Sequence, residues 1–145
     1  PEYFVMPDGT LHFGEVAARV PGGHIFDLIE RAYGFSAYEA QILCSDPNTT
    51  VEELRKFFPA EDEARGYAGC LMVHPHVNFI EKLNIPEELE NHDFFEKHDM
   101  FAPPQGKVAE RVGFGNHYGT IFFFGDDSAE MTRLLVDYEK YDFYL

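Results

Sequence analysis

The stretch EYFVMPDGTLHFGEVAAR places two glutamates, Glu2 and Glu15, on either side of an Asp8-Gly9 pair. Asp-Gly between apolar runs is a strong hairpin signal, because both central residues of a type I′ turn need positive φ. With Pro7 and Thr10 flanking the turn, Met6 pairs with Leu11, Phe4 with Phe13 and Glu2 with Glu15. The two carboxylates then stand opposite each other, with Cβ atoms about 5 Å apart. Alternation puts Phe4, Met6, Leu11, Phe13, Ala17 and Arg19 on that same face. Like charges directly opposed destabilise a sheet unless something positive lies between them. A hard divalent cation such as Mg2+ takes carboxylate oxygens and meets that need. A solvated polar face is the plainer reading of paired glutamates. The large apolar neighbours weaken it, since carboxylates among apolar side chains keep a partner. Arg19 can neutralise one of them, not both.

Downstream, Gly22-Gly23 stands at the start of a helical pattern. Backbone N–H groups at such a turn favour an anion, and glycines let the backbone approach it closely. An arginine on the carboxylate face can reach a phosphate or carboxylate bound to the metal. Glu2, Glu15, Arg19, Gly22 and Gly23 together describe a metal–phosphate site, although a Gly-Gly turn taken alone reads as an ordinary strand-to-helix connection. A second constellation is His74-Pro75-His76 with His92 and His98 downstream. Alternating histidines can ligate Zn2+, but no ligand spacing is completed. Facing glutamates about 5 Å apart also match the acid and nucleophile of a retaining glycosidase, and nothing else in the chain, which lacks Trp, supports that reading.

The hairpin and the segment GEVAARVPGG resemble the C-terminal end of an ATP-grasp catalytic domain, in the carboxylate–amine ligase branch. The resemblance implies that Glu2 and Glu15 bind the Mg2+ of ATP and that Phe4 packs against the adenine. It implies that Arg19 steadies the transferring phosphoryl group and the acyl phosphate, with Gly22 and Gly23 against the substrate. The implied reaction joins a small-molecule carboxylate to an amine through an acyl phosphate, with ATP and Mg2+ as cofactors. Ala17 stands where the fuller motif has an asparagine that helps hold a second metal, which leaves one metal or two. The family's phosphate-binding lysines and adenine hinge lie upstream of the matched region and are not in this chain. The expectation is therefore the C-terminal part of an enzyme, partnered by its missing N-terminal part and inactive alone. The alternative is a non-catalytic ATP-grasp-like domain for binding or assembly. Loss of Glu2, Glu15 or Arg19 would have favoured it, and all three are present.

The whole chain bounds these readings. Its 145 residues fit one domain or one lobe of a larger protein, and 45% are apolar, enough for a sizeable core. With 26 acidic and 11 basic residues the formal charge is −15, which repels nucleic acid and anionic membranes and excludes both as partners. Any anionic ligand must be held by local devices. Cys44 and Cys70 show no metal or disulfide spacing, which suits reduced thiols in the cytoplasm. No stretch is long and apolar enough to span a membrane, and no signal peptide is visible. The oligomeric state stays open.

The elements that must position the site follow from periodicity and punctuation. Ile25, Leu28, Ile29 and Ala32 share a helical face that Gly34 stops. Ser36 caps a second helix, and Thr50-Val51-Glu52-Glu53 is a capping box opening a third. PAEDEARG reads as an exposed acidic loop. GYAGCLMVHPH, VNFIEKL and DFFEKHDM read as extended segments, with a helical turn after Pro86 and a loop at FAPPQG. HYGTIFFFG is the clearest late strand, and Asp127 or Ser128 caps a final amphipathic helix. The predicted class is α+β: an N-terminal hairpin, helices, then a mostly antiparallel sheet with a C-terminal helix. The predicted division is residues 1–60, closing the catalytic subdomain, and residues 61–145, an α+β lobe packed on it.

Overall fold

A computed structural model describes residues 1–17, 19–58, 64–101, 106–108 and 117–145. Its elements, in chain order, are β1 (Glu2–Val5), β2 (Leu11–Glu15), α1 (Ile25–Tyr33), α2 (Ala37–Ser45), α3 (Val51–Phe57) and β3 (Tyr67–Val73). There follow β4 (Phe79–Ile80), α4 (Glu87–Glu90), β5 (Phe95–Met100), β6 (Gly106–Lys107), β7 (Gly119–Gly125) and α5 (Ser128–Glu139). The class is α+β, with antiparallel pairing throughout the described residues.

The core forms around β7, the central strand of the sheet β3-β7-β5. Its sequence GTIFFFG is covered on both faces, so large apolar residues occupy consecutive positions instead of alternating with polar ones. Ile121 and Phe123 face a cluster built with Val73, Met131, Leu134, Leu89 and Tyr144. Gly69 in β3 lets α5 close down on that face: a Cβ there would stand 2.8 Å from the Met131 sulfur. The opposite face carries Phe122, over which the Arg31 guanidinium of α1 lies at 4.5 Å. Arg31 also pairs with Glu96 of β5. The sheet is thus held between α1 and α5.

The helix punctuation acts as the residue types dictate. Gly34 ends α1 in the left-handed region (φ 77°), its N–H donating to the Glu30 carbonyl. The Ser36 hydroxyl caps α2, and Thr50 and Glu53 form a reciprocal capping box on α3. The Asp127 carboxylate caps α5 through the N–H groups of Ala129 and Glu130. VNFIEKL departs from expectation by contributing only the short β4. Beyond it, Glu81 and Lys82 donate to the Leu145 carbonyl at 2.6 and 2.8 Å, so the C-terminal tail claims the backbone that a longer strand would use. The partner of β4 is β6, which the sequence did not mark. The acidic run at 59–63 and the loop at 102–105 lie outside the described residues.

Candidate functional site

The hairpin pairs Glu2 directly with Glu15, as the sequence predicts, but it arrives there by another route. The Gly9 N–H donates to the Met6 carbonyl, and the Met6 N–H to the Thr10 carbonyl, both at 2.9 Å. Pro7, Asp8 and Gly9 therefore form the loop, with positive φ at Gly9 (81°) and not at Asp8. Pro7 prefers the first central position of an ordinary turn, and glycine then takes the left-handed position after it. Asp8 turns its carboxylate onto the Thr10 N–H and hydroxyl, which holds its pKa below the usual carboxylate value.

That loop shifts the register by one. Tyr3 pairs with Phe13, Phe4 with His12 and Val5 with Leu11. The predicted face of Phe4, Met6, Leu11 and Phe13 is therefore corrected. Tyr3 and Phe13 meet edge to face at 5.9 Å, while Phe4 belongs to the opposite face. An irregularity next to Glu2 then restores the pairing of the two glutamates, with Gly14 as the extra residue. A Cβ on Gly14 would stand 3.1 Å from the Glu2 carbonyl oxygen and 3.2 Å from the Phe4 ring. Only glycine fits there without displacing one of them.

Arg19 and Glu2 come together. Both line a cavity of about 290 Å3 that is also bounded by Ala17, Pro21 and Ile25. Arg19 is exposed and donates through one guanidinium nitrogen to the Val20 carbonyl at 3.0 Å, its one hydrogen bond among the described residues. Gly22 and Gly23 follow, and a Cβ on either would meet nothing within 4 Å, so the backbone of this turn is open to an approaching group. Glu15, Phe4, Gly22 and Gly23 are not among the described residues lining the Glu2–Arg19 cavity. Phe4 is 67% exposed, and every residue of β1 and β2 is exposed.

His24 closes the turn and was not singled out by sequence. It is the one non-glycine among the described residues with positive φ (63°). Its Nδ1 lies 3.1 Å from the Asp27 carboxylate and its Nε2 3.2 Å from the hydroxyl of Thr120, which is 2% exposed. Its ring meets Phe122 edge to face at 5.1 Å. Cys70 reaches the Gly23 carbonyl at 3.8 Å, and burial first, then Asp27, pushes its thiol pKa up. The Gly-Gly turn is thus pinned to the sheet from both sides. The signal available in the sequence was a histidine immediately after two glycines, where a left-handed residue is needed.

The downstream histidines serve separate carboxylates. His76 pairs with Asp142 at 3.1 Å, His92 with Glu130 at 3.2 Å, and His98 lies 3.5 Å from Glu90. Among the described residues no group of three or more His, Cys, Asp or Glu side chains is arranged to hold a metal ion. Glu2 and Glu15 are two hard oxygen donors. That number suits Mg2+, which binds through one or two carboxylates and takes its remaining oxygens from substrate phosphates and water.

Compared with protein-family models and with curated proteins, the chain matches none.

Proposed function

We propose that this chain supplies the metal and phosphate end of an ATP- and Mg2+-dependent carboxylate–amine ligase of the ATP-grasp type. The observation that carries the reading is the direct pairing of Glu2 with Glu15, with Arg19 in the cavity beside Glu2. Glu2 and Glu15 would hold Mg2+, which supplies charge neutralisation on the nucleotide phosphates when bound. Arg19 offers a planar donor fork to the oxygens of the group being transferred, and the open Gly22-Gly23 backbone receives the substrate. Phe4 offers an apolar surface to the adenine. In the reaction, ATP phosphorylates the substrate carboxylate, and an amine then displaces phosphate to form the amide.

The exposed hairpin gives this reading a structural reason for a partner. Tyr3, Val5, Leu11 and Phe13 present an apolar surface that no other described element covers. The N-terminal part of such an enzyme would cover it and bring the lysines that grip the phosphates. The same exposure serves the alternative of a non-catalytic assembly domain. Among the described residues no helix is long and apolar enough to cross a membrane. The ligase reading puts the protein in the cytoplasm, where ATP is supplied and free thiols such as Cys44 and Cys70 persist.

The deciding experiment is paramagnetic broadening by Mn2+ with a non-hydrolysable ATP analogue. Broadening centred on residues 2, 15 and 19, and lost in both Glu2→Gln and Glu15→Gln, is the expected result. Broadening centred on the acidic residues of α4 or α5 would end the reading. The 145-residue chain alone is expected to turn over no ATP with amino-acid substrates and Mg2+. Turnover would overturn the division of the enzyme into two parts.

A further inference from the structure

The last helix, the C-terminal tail and the end of β3 border an open pocket that the metal–phosphate site does not use. Its volume is about 400 Å3, and its walls include His74, His76, Tyr138, Glu139, Tyr141 and Phe143. That size takes a small molecule. The three aromatic rings converge: Tyr141 and Phe143 stand 4.9 Å apart at 62°, and Tyr138 and Tyr141 5.8 Å apart at 62°. Tyr138 and Phe143 are 6.3 Å apart at 36°. Rings inclined in this way form a corner and not a flat stack.

The corner is braced from behind. Asn84 donates through Nδ2 to the Tyr141 hydroxyl and to the Asp142 carbonyl, both at 3.0 Å. The Asp142 carboxylate is in turn 3.1 Å from His76 Nδ1. Such a frame reduces the ordering that a ligand would otherwise have to impose.

The one carboxylate among the described lining residues is Glu139, beside the imidazoles of His74 and His76, and none of those residues is a lysine or arginine. Burial raises the Tyr138 phenol pKa, and the nearby carboxylates of Glu88 and Asp137 raise it further. Aromatic faces carry negative electrostatic potential and attract cations, most strongly where a carboxylate adds to it. An anion would meet repulsion from the same groups. The net charge of −15 favours the approach of a cation as well.

We infer that this cavity binds a small organic ammonium ion, seated against the half-buried rings of Tyr138 and Tyr141, which the buried Phe143 backs, with Glu139 as its counter-charge. The inference does not depend on the ligase reading. The test is to titrate the chain with choline, and separately with its uncharged carbon isostere, following the NMR signals of Tyr138, Tyr141 and Phe143. Saturable choline shifts confined to these residues are expected, with the isostere at least about tenfold weaker. Tyr141→Leu and Glu139→Gln should each weaken choline by at least about threefold. Glu139 is exposed at the end of α5, so its variant keeps the test sound if Tyr141→Leu fails to fold. Three results would each overturn the inference: equal affinity for the isostere, no saturable shift at millimolar choline, or choline binding indifferent to both substitutions.

Discussion

His24→Ala tests whether the Gly-Gly turn is fixed by the histidine that follows it. The substitution removes the ring nitrogen 3.2 Å from the Thr120 hydroxyl, a group on a residue only 2% exposed, and the edge contact with Phe122. A buried hydroxyl left unpaired destabilises by about 1–3 kcal/mol, and an aromatic edge contact adds roughly 0.5–1.5 kcal/mol. Because the His24 side chain is itself 33% exposed, the low ends apply, for a total of about 1.5 kcal/mol. With a urea slope of about 2 kcal/mol per molar, the midpoint should fall by roughly 0.7–0.8 M. Thr120→Val removes the hydroxyl without removing the side chain's bulk. In a double-mutant cycle the two changes should couple by about 1 kcal/mol, since a valine in place of Thr120 leaves nothing for the histidine to hold. His24→Gly should be more stable than His24→Ala by about 1 kcal/mol, because glycine adopts a φ of 63° without steric penalty. Urea unfolding followed by circular dichroism, with the slope checked for constancy, measures all of these. Additivity of the two substitutions within about 0.3–0.5 kcal/mol would refute the pinning argument.

Tyr144→Phe deletes a hydroxyl that donates to the Phe101 and Tyr118 carbonyls, and should lower Tm by roughly 3–8 °C for a loss of about 1–2 kcal/mol. Burial pushes the Tyr144 phenol up to about 12 from an ordinary value of 10, so the fold keeps a proton that the unfolded chain releases. Its contribution is intact below about pH 10 and is lost as pH rises towards 12, and Tyr144→Phe should flatten that alkaline limb in pH-dependent melting. If the proposed ligase function holds, Arg19→Lys in the full-length protein should lower kcat by at least about tenfold, or roughly 1.4 kcal/mol, with a smaller change in nucleotide affinity, read by steady-state kinetics and nucleotide titration. Unchanged kcat with weaker binding would make Arg19 a ground-state anchor. Gly14→Val should weaken the Mn2+ broadening of residues 2 and 15, since its Cβ would press to 3.1 Å from the Glu2 carbonyl oxygen and push the paired strands apart.

Local punctuation was legible in the sequence because its causes are local. Gly34, Ser36, the Thr50–Glu53 box and Asp127 each act on backbone groups within four residues, and each ends or begins a helix where its chemistry requires. The strand β7 was equally legible, because a run such as TIFFF survives only where both faces are covered. What escaped was set by distant partners. The C-terminal tail took the backbone of Glu81 and Lys82, and β6 paired with β4, neither of which leaves a mark in the segment itself. The aromatic corner of Tyr138, Tyr141 and Phe143 escaped for a similar reason. Its rings come from a helix end and the tail beyond it, and no single periodicity joins them.

The hairpin shows how a correct pairing can rest on a wrong register. A two-residue turn at Asp8-Gly9 would have paired the glutamates with regular strands. Pro7 enlarges the loop by one residue, and a regular strand beyond Phe13 would then set Gly14 opposite Glu2 and carry Glu15 to the other face. The extra residue at Gly14 absorbs the difference and returns Glu15 to Glu2. Two deviations from regularity cancel at the position where two like charges meet. Bulges gather at sheet edges and next to sites, where they re-aim a side chain. Here the bulge sets the Glu2 and Glu15 backbones opposite each other, a like-charge pairing that regular strands on this loop would have avoided, and the proposed metal site rests on that pairing.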